Sequence, residues 1–284
     1  MDSQTIANFR PVARLARGMP ASDGAGVKLN RVIGTPELQD VDPFLMLDEF
    51  RSDDAADYIA GFPDHPHRGF ETVTYMLAGR MRHGDNKGHT GLLEAGSVQW
   101  MTAGRGIIHS EMPEQEKGLM QGFQLWVNLP AKDKMTAPRY QEIPPKDIPV
   151  ATLGGGVSAK VIAGTVGGVG GPIDGIATEP VLLDLALPAG GRLTLPLPPG
   201  HSVFLYPFDG DIAVGEAVTR VERGSIAVLG AGEGVLISAP KGAARVLLAA
   251  GRPLNEPVAR YGPFVMNTPQ QLREALADYE LGRF

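Results

Sequence analysis

The sequence predicts an all-β protein with two domains, and three observations support this prediction. Short runs rich in valine, threonine, tyrosine, leucine and methionine follow one another from Asp42 to Asn128, separated by glycine or by turn sequences such as Asp-Asn-Lys-Gly at 85–88. Runs of the same kind recur after Pro149. The chain has 284 residues, a length typical of two domains, and its 37 glycines and 24 prolines imply many tight turns.

Nine strands and one helix can be placed in chain order. The strand candidates are 71–77, 96–101, 122–129, 159–163, 181–187, 202–206, 225–229, 235–238 and 245–250. Residues 130–149 shift to proline, lysine and aspartate, and we interpret them as an extended connection. We therefore place one domain at 1–135 and the other at 136–284. The sequence Thr-Pro-Gln-Gln from Thr268 is typical of a helix N-terminus and predicts a helix over 269–279.

Composition and charge exclude several classes of function. Lysine and arginine number 26 and aspartate and glutamate 32, so the net charge is −6 and direct nucleic-acid binding is not expected. No apolar run is long enough for a transmembrane helix and the first residues lack an export signal, so we expect a cytoplasmic protein with no membrane partner. Because the chain has no cysteine, histidine, aspartate and glutamate are its only strong metal ligands.

Three of the six histidines stand in two compact arrays, His-Pro-His at 65–67 and His-Ser-Glu at 109–111. Residues i and i+2 of a strand project from one face, so each array offers two ligands side by side. If the two strands are neighbours in a sheet, three imidazole nitrogens and one carboxylate oxygen converge, with coordination positions left open. The alternative is a set of hydrogen-bonded core histidines. We predict a metal site formed by His65, His67, His109 and Glu111.

The donor set leaves the metal and one ligand open. Three imidazoles and a carboxylate suit Fe(II), Mn(II), Ni(II), Cu(II) or Zn(II), and we expect Fe(II) because mononuclear iron with vacant positions serves to bring substrate and dioxygen together. Glu71 competes for the carboxylate role because it follows the first array closely. A straight strand would carry it about 13 Å beyond His67, at about 3.3 Å per residue, so we prefer Glu111.

Five stretches of the sequence carry a family resemblance. They are His-Pro-His-Arg-Gly-Phe-Glu-Thr at 65–72, Gly-His-Thr-Gly at 88–91, and the segments 99–113, 42–50 and 253–268. Taken together they resemble the pirin family of the cupin superfamily over nearly the whole chain. The resemblance implies a bicupin, with two tandem jelly-roll β-sandwich domains and a metal held in the N-terminal one by His65, His67, His109 and Glu111. In the C-terminal domain His201 stands alone, so no metal site is expected there.

The same resemblance implies a function. Members of the family resemble flavonol dioxygenases, which open the ring of quercetin with O₂ at an Fe(II) centre. We therefore expect a quercetin 2,3-dioxygenase that acts on a flavonol-like aromatic substrate, with Glu111 as both metal ligand and catalytic base. Some pirins are co-regulators of transcription factors or partners of metabolic enzymes. The alternative is therefore a metal-dependent regulatory protein with a protein partner.

Further polar residues lie close to the two arrays in sequence. We interpret Arg68 and Arg105 as surface charges, with steering of an anionic substrate as the alternative. His83 and His89 flank the turn at 84–88, and we interpret them as hairpin-packing residues or as support for the metal site. Candidates for lining a pocket, with core packing as the alternative, are Gln99, Trp100, Met101, Phe123, Gln124 and Trp126.

Overall fold

The structure is a computed structural model that describes residues 6–284. This part of the chain forms 26 strands and one α-helix, so the predicted all-β fold with a short C-terminal helix is confirmed. The strands are β1 (Val12–Arg17), β2 (Met19–Asp23), β3 (Val27–Ile33), β4 (Phe44–Ser52), β5 (Phe62–His67), β6 (Phe70–Ala78), β7 (Met81–Asp85), β8 (Thr90–Leu93), β9 (Val98–Thr102), β10 (Ile107–Pro113), β11 (Met120–Asn128), β12 (Arg139–Ile143), β13 (Val150–Thr152), β14 (Ser158–Ala163), β15 (Thr165–Val166), β16 (Val169–Gly170), β17 (Val181–Leu187), β18 (Arg192–Pro196), β19 (Ser202–Asp209), β20 (Ile212–Val214), β21 (Thr219–Val221), β22 (Ser225–Leu229), β23 (Gly234–Ser238), β24 (Ala244–Gly251), β25 (Ala259–Tyr261) and β26 (Phe264–Met266). The helix is α1 (Pro269–Glu280), and short 3₁₀ turns span Ala55–Asp57, Ala131–Asp133, Pro145–Asp147 and Gly154–Gly156.

The first of two compact units contains Met19–Pro145 and Leu254–Phe284. Its larger sheet has the strand order β12-β9-β6-β11-β4-β3-β2, its smaller sheet has the order β5-β10-β7-β8, and β25 and β26 form a hairpin. A buried cluster that includes Phe50 of β4, Met76 of β6 and Met81 of β7 draws on both sheets. Burial of apolar side chains from two sheets is what stabilises a β-sandwich.

The second unit contains residues 6–18 of the described chain and Lys146–Pro253. Its sheets have the strand orders β1-β22-β19-β24-β17-β14-β13 and β18-β23-β20-β21. Its core is aliphatic, with Leu183, Leu205 and Ile237 fully buried. Each unit therefore combines a seven-stranded and a four-stranded sheet, which is the repetition expected of a bicupin.

The units divide the chain differently from the expected boundary between residues 135 and 136. The segment 130–149, interpreted as an extended connection, contains β12, which pairs with β9 at the edge of the larger sheet of the first unit. The interpretation of this segment was therefore wrong for Arg139–Ile143. An edge strand is half solvated and does not need the apolar run of a central strand, so its sequence Arg-Tyr-Gln-Glu-Ile gave no strong strand signal.

Helix α1 also belongs to the first unit. It begins as predicted, because Thr268 and Gln271 form a reciprocal capping box and Pro269 opens the first turn. Ala275 is fully buried and packs in one cluster with Phe264 and Phe284. In the described chain no helix has the length and apolar character needed to cross a lipid bilayer.

Gly69 turns the chain from the smaller sheet of the first unit into the larger one, between β5 and β6. Its φ is +88°, and a Cβ at this position would lie 2.0 Å from the carbonyl oxygen of Val265. Only glycine adopts this conformation without strain and leaves that space free. The bend ends β5 directly after His67 and carries Glu71 into the other sheet.

Candidate metal centre

The two predicted arrays lie on neighbouring antiparallel strands of the smaller sheet. In the pairing of β10 with β5, His109 lies opposite His65 and Ile107 lies opposite His67. Cross-strand neighbours and residues two apart share one face of a sheet, so the three imidazoles project together. His67 and His109 are almost fully buried.

The rings of His65, His67 and His109, which we call the three-histidine group, are in mutual contact. The Nε2 atoms of His65 and His67 are 3.0 Å apart. The ring centroid of His109 lies 4.4 Å from that of His65 and 5.0 Å from that of His67. One ring nitrogen from each residue lies within 4.8 Å of the other two. A convergence of three imidazole nitrogens is the arrangement found at zinc and iron sites.

The hydrogen bonding of these rings fits a divalent metal ion. The Nδ1 atom of His65 donates to the carbonyl oxygen of Pro63 at 2.8 Å, which leaves the lone pair on Nε2. Among residues 6–284, neither ring nitrogen of His109 has a hydrogen-bond partner, although both are buried. Burial lowers the pKa of both His67 and His109 well below the ordinary value for histidine, and the neighbouring rings lower it further. Neutral imidazoles with unused lone pairs are the form that binds metals.

Glu111 stands beside the three-histidine group but outside the set of ligand atoms that lie within 4.8 Å of one another. Its carboxylate reaches the opposite sheet, where Thr74 Oγ1 donates to Oε1 at 2.9 Å and Gln124 Nε2 donates to Oε2 at 3.2 Å. Thr74 of β6 and Gln124 of β11 are direct cross-strand partners. The carboxylate is therefore held by two adjacent donors.

The competing carboxylate, Glu71, lies elsewhere. It is buried in the larger sheet, where it accepts a hydrogen bond from Thr102 Oγ1 at 2.7 Å, and burial raises its pKa above the ordinary value for glutamate. Within the described chain it does not line the cavity that His65, His67 and Glu111 line. The bend at Gly69 is the physical cause of this separation.

A cavity of about 490 Å³ opens onto this site. Such a volume is within the range of small-molecule pockets. The walls combine apolar side chains with a few polar ones, which is the usual composition of a ligand site. The apolar side chains of the walls include Leu29, Met46, Phe50, Phe62, Met81 and Trp126.

Two arginines line the same cavity in different ways. Arg31 forms a bidentate pair with Asp48, with distances of 2.9 and 2.8 Å. The guanidinium of Arg260 lies 4.8 Å from the centroid of the Trp126 ring, and this ring in turn meets the ring of His67 edge to face at 5.3 Å. No sequence signal pointed to Arg31 or Arg260, which lie far from the histidine arrays in sequence, or to Thr74, which lies in the predicted strand 71–77 but outside both arrays.

The structure corrects the interpretation of Arg68 as a surface charge. Its side chain is 4% exposed and donates from Nη1 to Asp278 Oδ2 at 2.9 Å. Its guanidinium lies 4.3 Å from the centroid of the Phe284 ring, and its Nε donates to the carbonyl oxygen of Arg105. Arg68, the residue after His67, therefore links the end of β5 to helix α1 and does not face the cavity.

Two β-sandwich units, one of them with an inward-facing group of histidines, define the chain as a bicupin protein. A family model described as Pirin matches residues 26–127, and one described as the Pirin C-terminal cupin domain matches residues 182–284. The chain is 54% identical over 276 residues to a pirin-like protein of Caulobacter vibrioides, with 97% of this chain and 99% of that protein covered. The chain belongs to the pirin family, as the sequence predicted.

Two further comparisons extend this relationship. Human pirin is 44% identical over 263 residues, with 91% of this chain and 88% of that protein covered. A crystal structure of quercetin 2,3-dioxygenase from Acinetobacter baumannii superposes with a TM-score of 0.89 at 33% sequence identity. That match covers 97% of this chain and 98% of the other. The predicted bicupin architecture is thereby confirmed.

Proposed function

We propose that this protein is a quercetin 2,3-dioxygenase that holds Fe(II) with His65, His67, His109 and Glu111. The observation that carries the proposal is the three-histidine group. One ring nitrogen from each residue lies within 4.8 Å of the other two, and among the described residues both ring nitrogens of His109 lack a hydrogen-bond partner. When bound, the iron supplies the electron exchange with O₂ that amino-acid side chains lack. The relative from Acinetobacter baumannii, which is a quercetin 2,3-dioxygenase, supports the same reaction class.

Glu111 is the group that takes up the proton of the flavonol hydroxyl. A general base must be held at hydrogen-bond reach of its substrate in one orientation. The hydrogen bonds from Thr74 at 2.9 Å and Gln124 at 3.2 Å provide that orientation, because they engage both carboxylate oxygens from one side. We therefore assign Thr74 and Gln124 as positioning residues.

The cavity suits a flat aromatic substrate. The Trp126 indole and the Arg260 guanidinium above it form a planar, cationic surface next to His67. Such a surface attracts an electron-rich aromatic ring or its anion. Apolar residues such as Phe50, Phe62 and Met81 line the remaining wall and exclude water from the reacting atoms.

The test is an oxygen-electrode assay with quercetin and detection of carbon monoxide. The protein is freed of metal and reloaded without air with Fe(II) and, separately, with Mn(II), Ni(II), Cu(II) and Zn(II). We expect O₂ uptake and carbon monoxide release with Fe(II), loss of iron and of turnover in His109→Ala, and loss of turnover in Glu111→Gln. His201→Gln, in the second unit, is the matched control and is expected to retain both iron and activity.

Two results would count against the proposal. If quercetin is not consumed with any of the five ions, the dioxygenase assignment is overturned. If Fe(II) binds to the wild type and not to His109→Ala, yet no flavonol is turned over, the metal site stands without the reaction. That second result would favour the alternative of a metal-dependent regulatory protein.

A further inference from the structure

A second group of potential metal ligands lies in the first unit and shares no residue with the three-histidine group. His83 is on β7, His89 is in the turn before β8, and Glu142 is on β12, the edge strand that the sequence did not predict. Each histidine places its Nε2 atom 2.8 Å from Oε1 of Glu142. One ligand atom from each of the three residues lies within 4.8 Å of the other two.

Hydrogen bonding does not satisfy this cluster. Glu142 Oε1 already receives a hydrogen bond from Gln99 Nε2 at 3.0 Å and contacts His89 Nε2 at 2.8 Å. The Nε2 atom of His83 is equally close, but it is buried and has no hydrogen bond among the described residues. Three nitrogens therefore approach one carboxylate oxygen, and one of them is left unpaired.

Solvent reaches one side of this cluster. The side chains of His89 and Glu142 are 40% and 31% exposed, which gives an ion a path from solvent.

The surroundings keep the three ligand atoms together and leave space beside them. The ring of Tyr140 stacks on the ring of His89 at 4.5 Å and on that of His83 at 6.0 Å, which fixes both ring planes. Gly91 lies opposite His83 in the β7–β8 pair. A Cβ on Gly91 would lie 2.1 Å from His83 Nε2 and 2.9 Å from Glu142 Oε2, so any larger residue would displace these ligands.

We propose that His83, His89 and Glu142 form a second divalent-metal site, suited to Zn²⁺. Two imidazole nitrogens and one carboxylate oxygen are an established zinc ligand set, in which water occupies the fourth, solvent-facing position. The site is independent of the proposed dioxygenase activity. It borders the three-histidine group through the β10–β7 pair, in which His83 lies opposite Glu111.

The test measures Zn²⁺ binding to the metal-free, full-length protein by calorimetry. The double variant His67→Ala/His109→Ala leaves only His65 and Glu111 of the proposed first site, too few ligands for Zn²⁺, so one Zn²⁺ per chain is expected to remain in this variant. Adding His89→Ala or Glu142→Gln is expected to weaken that remaining site at least 100-fold. Co²⁺ provides a second readout, because a four-coordinate site absorbs visible light and the signal should vanish in the same triple variants.

Gly91→Ala in the His67→Ala/His109→Ala background tests the geometry, since it keeps all three ligand residues but its Cβ would displace their ligand atoms. It is also expected to lose Zn²⁺. Because His89 is partly exposed, its replacement is not expected to unfold the protein. Circular dichroism checks that each variant keeps its β-sheet content. If His67→Ala/His109→Ala binds no Zn²⁺, or binds it equally with and without His89, the cluster is only a hydrogen-bonded group and the proposal is overturned.

Discussion

Replacing Arg68 by methionine is expected to destabilise the first unit strongly, because this buried arginine links the end of β5 to helix α1. Its hydrogen bond to Asp278 at 2.9 Å, a bond between charged groups, is worth about 1.5–3 kcal/mol. Loss of the hydrogen bond to the carbonyl of Arg105, an exposed residue, costs about 0.5–1.5 kcal/mol more. The contact with the Phe284 ring at 4.3 Å adds about 0.5–1 kcal/mol. Because such contributions overlap and methionine retains the apolar stem, we expect a loss of about 3–5 kcal/mol.

The assay is urea unfolding of the wild type, Arg68→Met, Asp278→Asn and the double variant. Arg283→Met is the matched control, because Arg283 contacts the same Asp278 carboxylate at 3.1 Å but its side chain is 64% exposed. An exposed pair of this kind contributes at most about 1 kcal/mol. The double-variant cycle isolates the Arg68–Asp278 interaction. If Arg68→Met costs no more than Arg283→Met, the assignment of Arg68 as the link to the helix is refuted.

Three further outcomes are expected from the buried polar groups of the first unit. Burial lowers the pKa of Lys134 to about 8, against about 10.4 in an unfolded chain. As the pH rises the folded state therefore loses this proton first, and the stability of the wild type relative to Lys134→Met should increase by about 3 kcal/mol from about pH 8 to about pH 10.4 in urea titrations. A difference that does not change with pH would contradict this. The pKa of His67 and of His109 is lowered in the fold, so the unfolded chain takes up protons first as the pH falls. The metal-free protein should therefore lose stability below about pH 6.5, and it should lose less in the double variant His67→Gln/His109→Gln. Thr74→Val removes the donor to the metal-site carboxylate and should lower kcat at least about tenfold with unchanged iron content, whereas loss of iron would show that the hydroxyl supports metal binding instead.

The features that could be predicted from the sequence are those whose signal is local. The predicted strands 181–187 and 225–229 coincide with β17 and β22, because each is an apolar run bounded by glycine or proline. The capping box at Thr268 needs only four consecutive residues. The convergence of the histidines follows from the period of two residues in a strand, once β5 and β10 are neighbours.

The features that could not be predicted depend on contacts between distant strands. Glu142 lies on a polar edge strand, whose composition resembles that of a loop, so neither the strand nor its contact with His83 and His89 had a sequence signature. Arg260 reaches Trp126 only because Leu254–Phe284 packs with the first unit. The charge of Arg68 suggested the surface, whereas its partners at the C-terminus of the chain keep it buried.

The two sheets of the first unit have different roles at the proposed metal centre. All three histidines and Glu111 lie on β5 and β10 of the smaller sheet, whereas both donors to the Glu111 carboxylate lie on β6 and β11 of the larger sheet. The backbone positions of the imidazoles are set by the β5–β10 register, in which His109 and His65 are cross-strand partners. The orientation of the carboxylate depends in addition on the distance between the sheets. In the proposed reaction, substitutions that shift the larger sheet should therefore alter proton transfer to Glu111 more than they alter metal content.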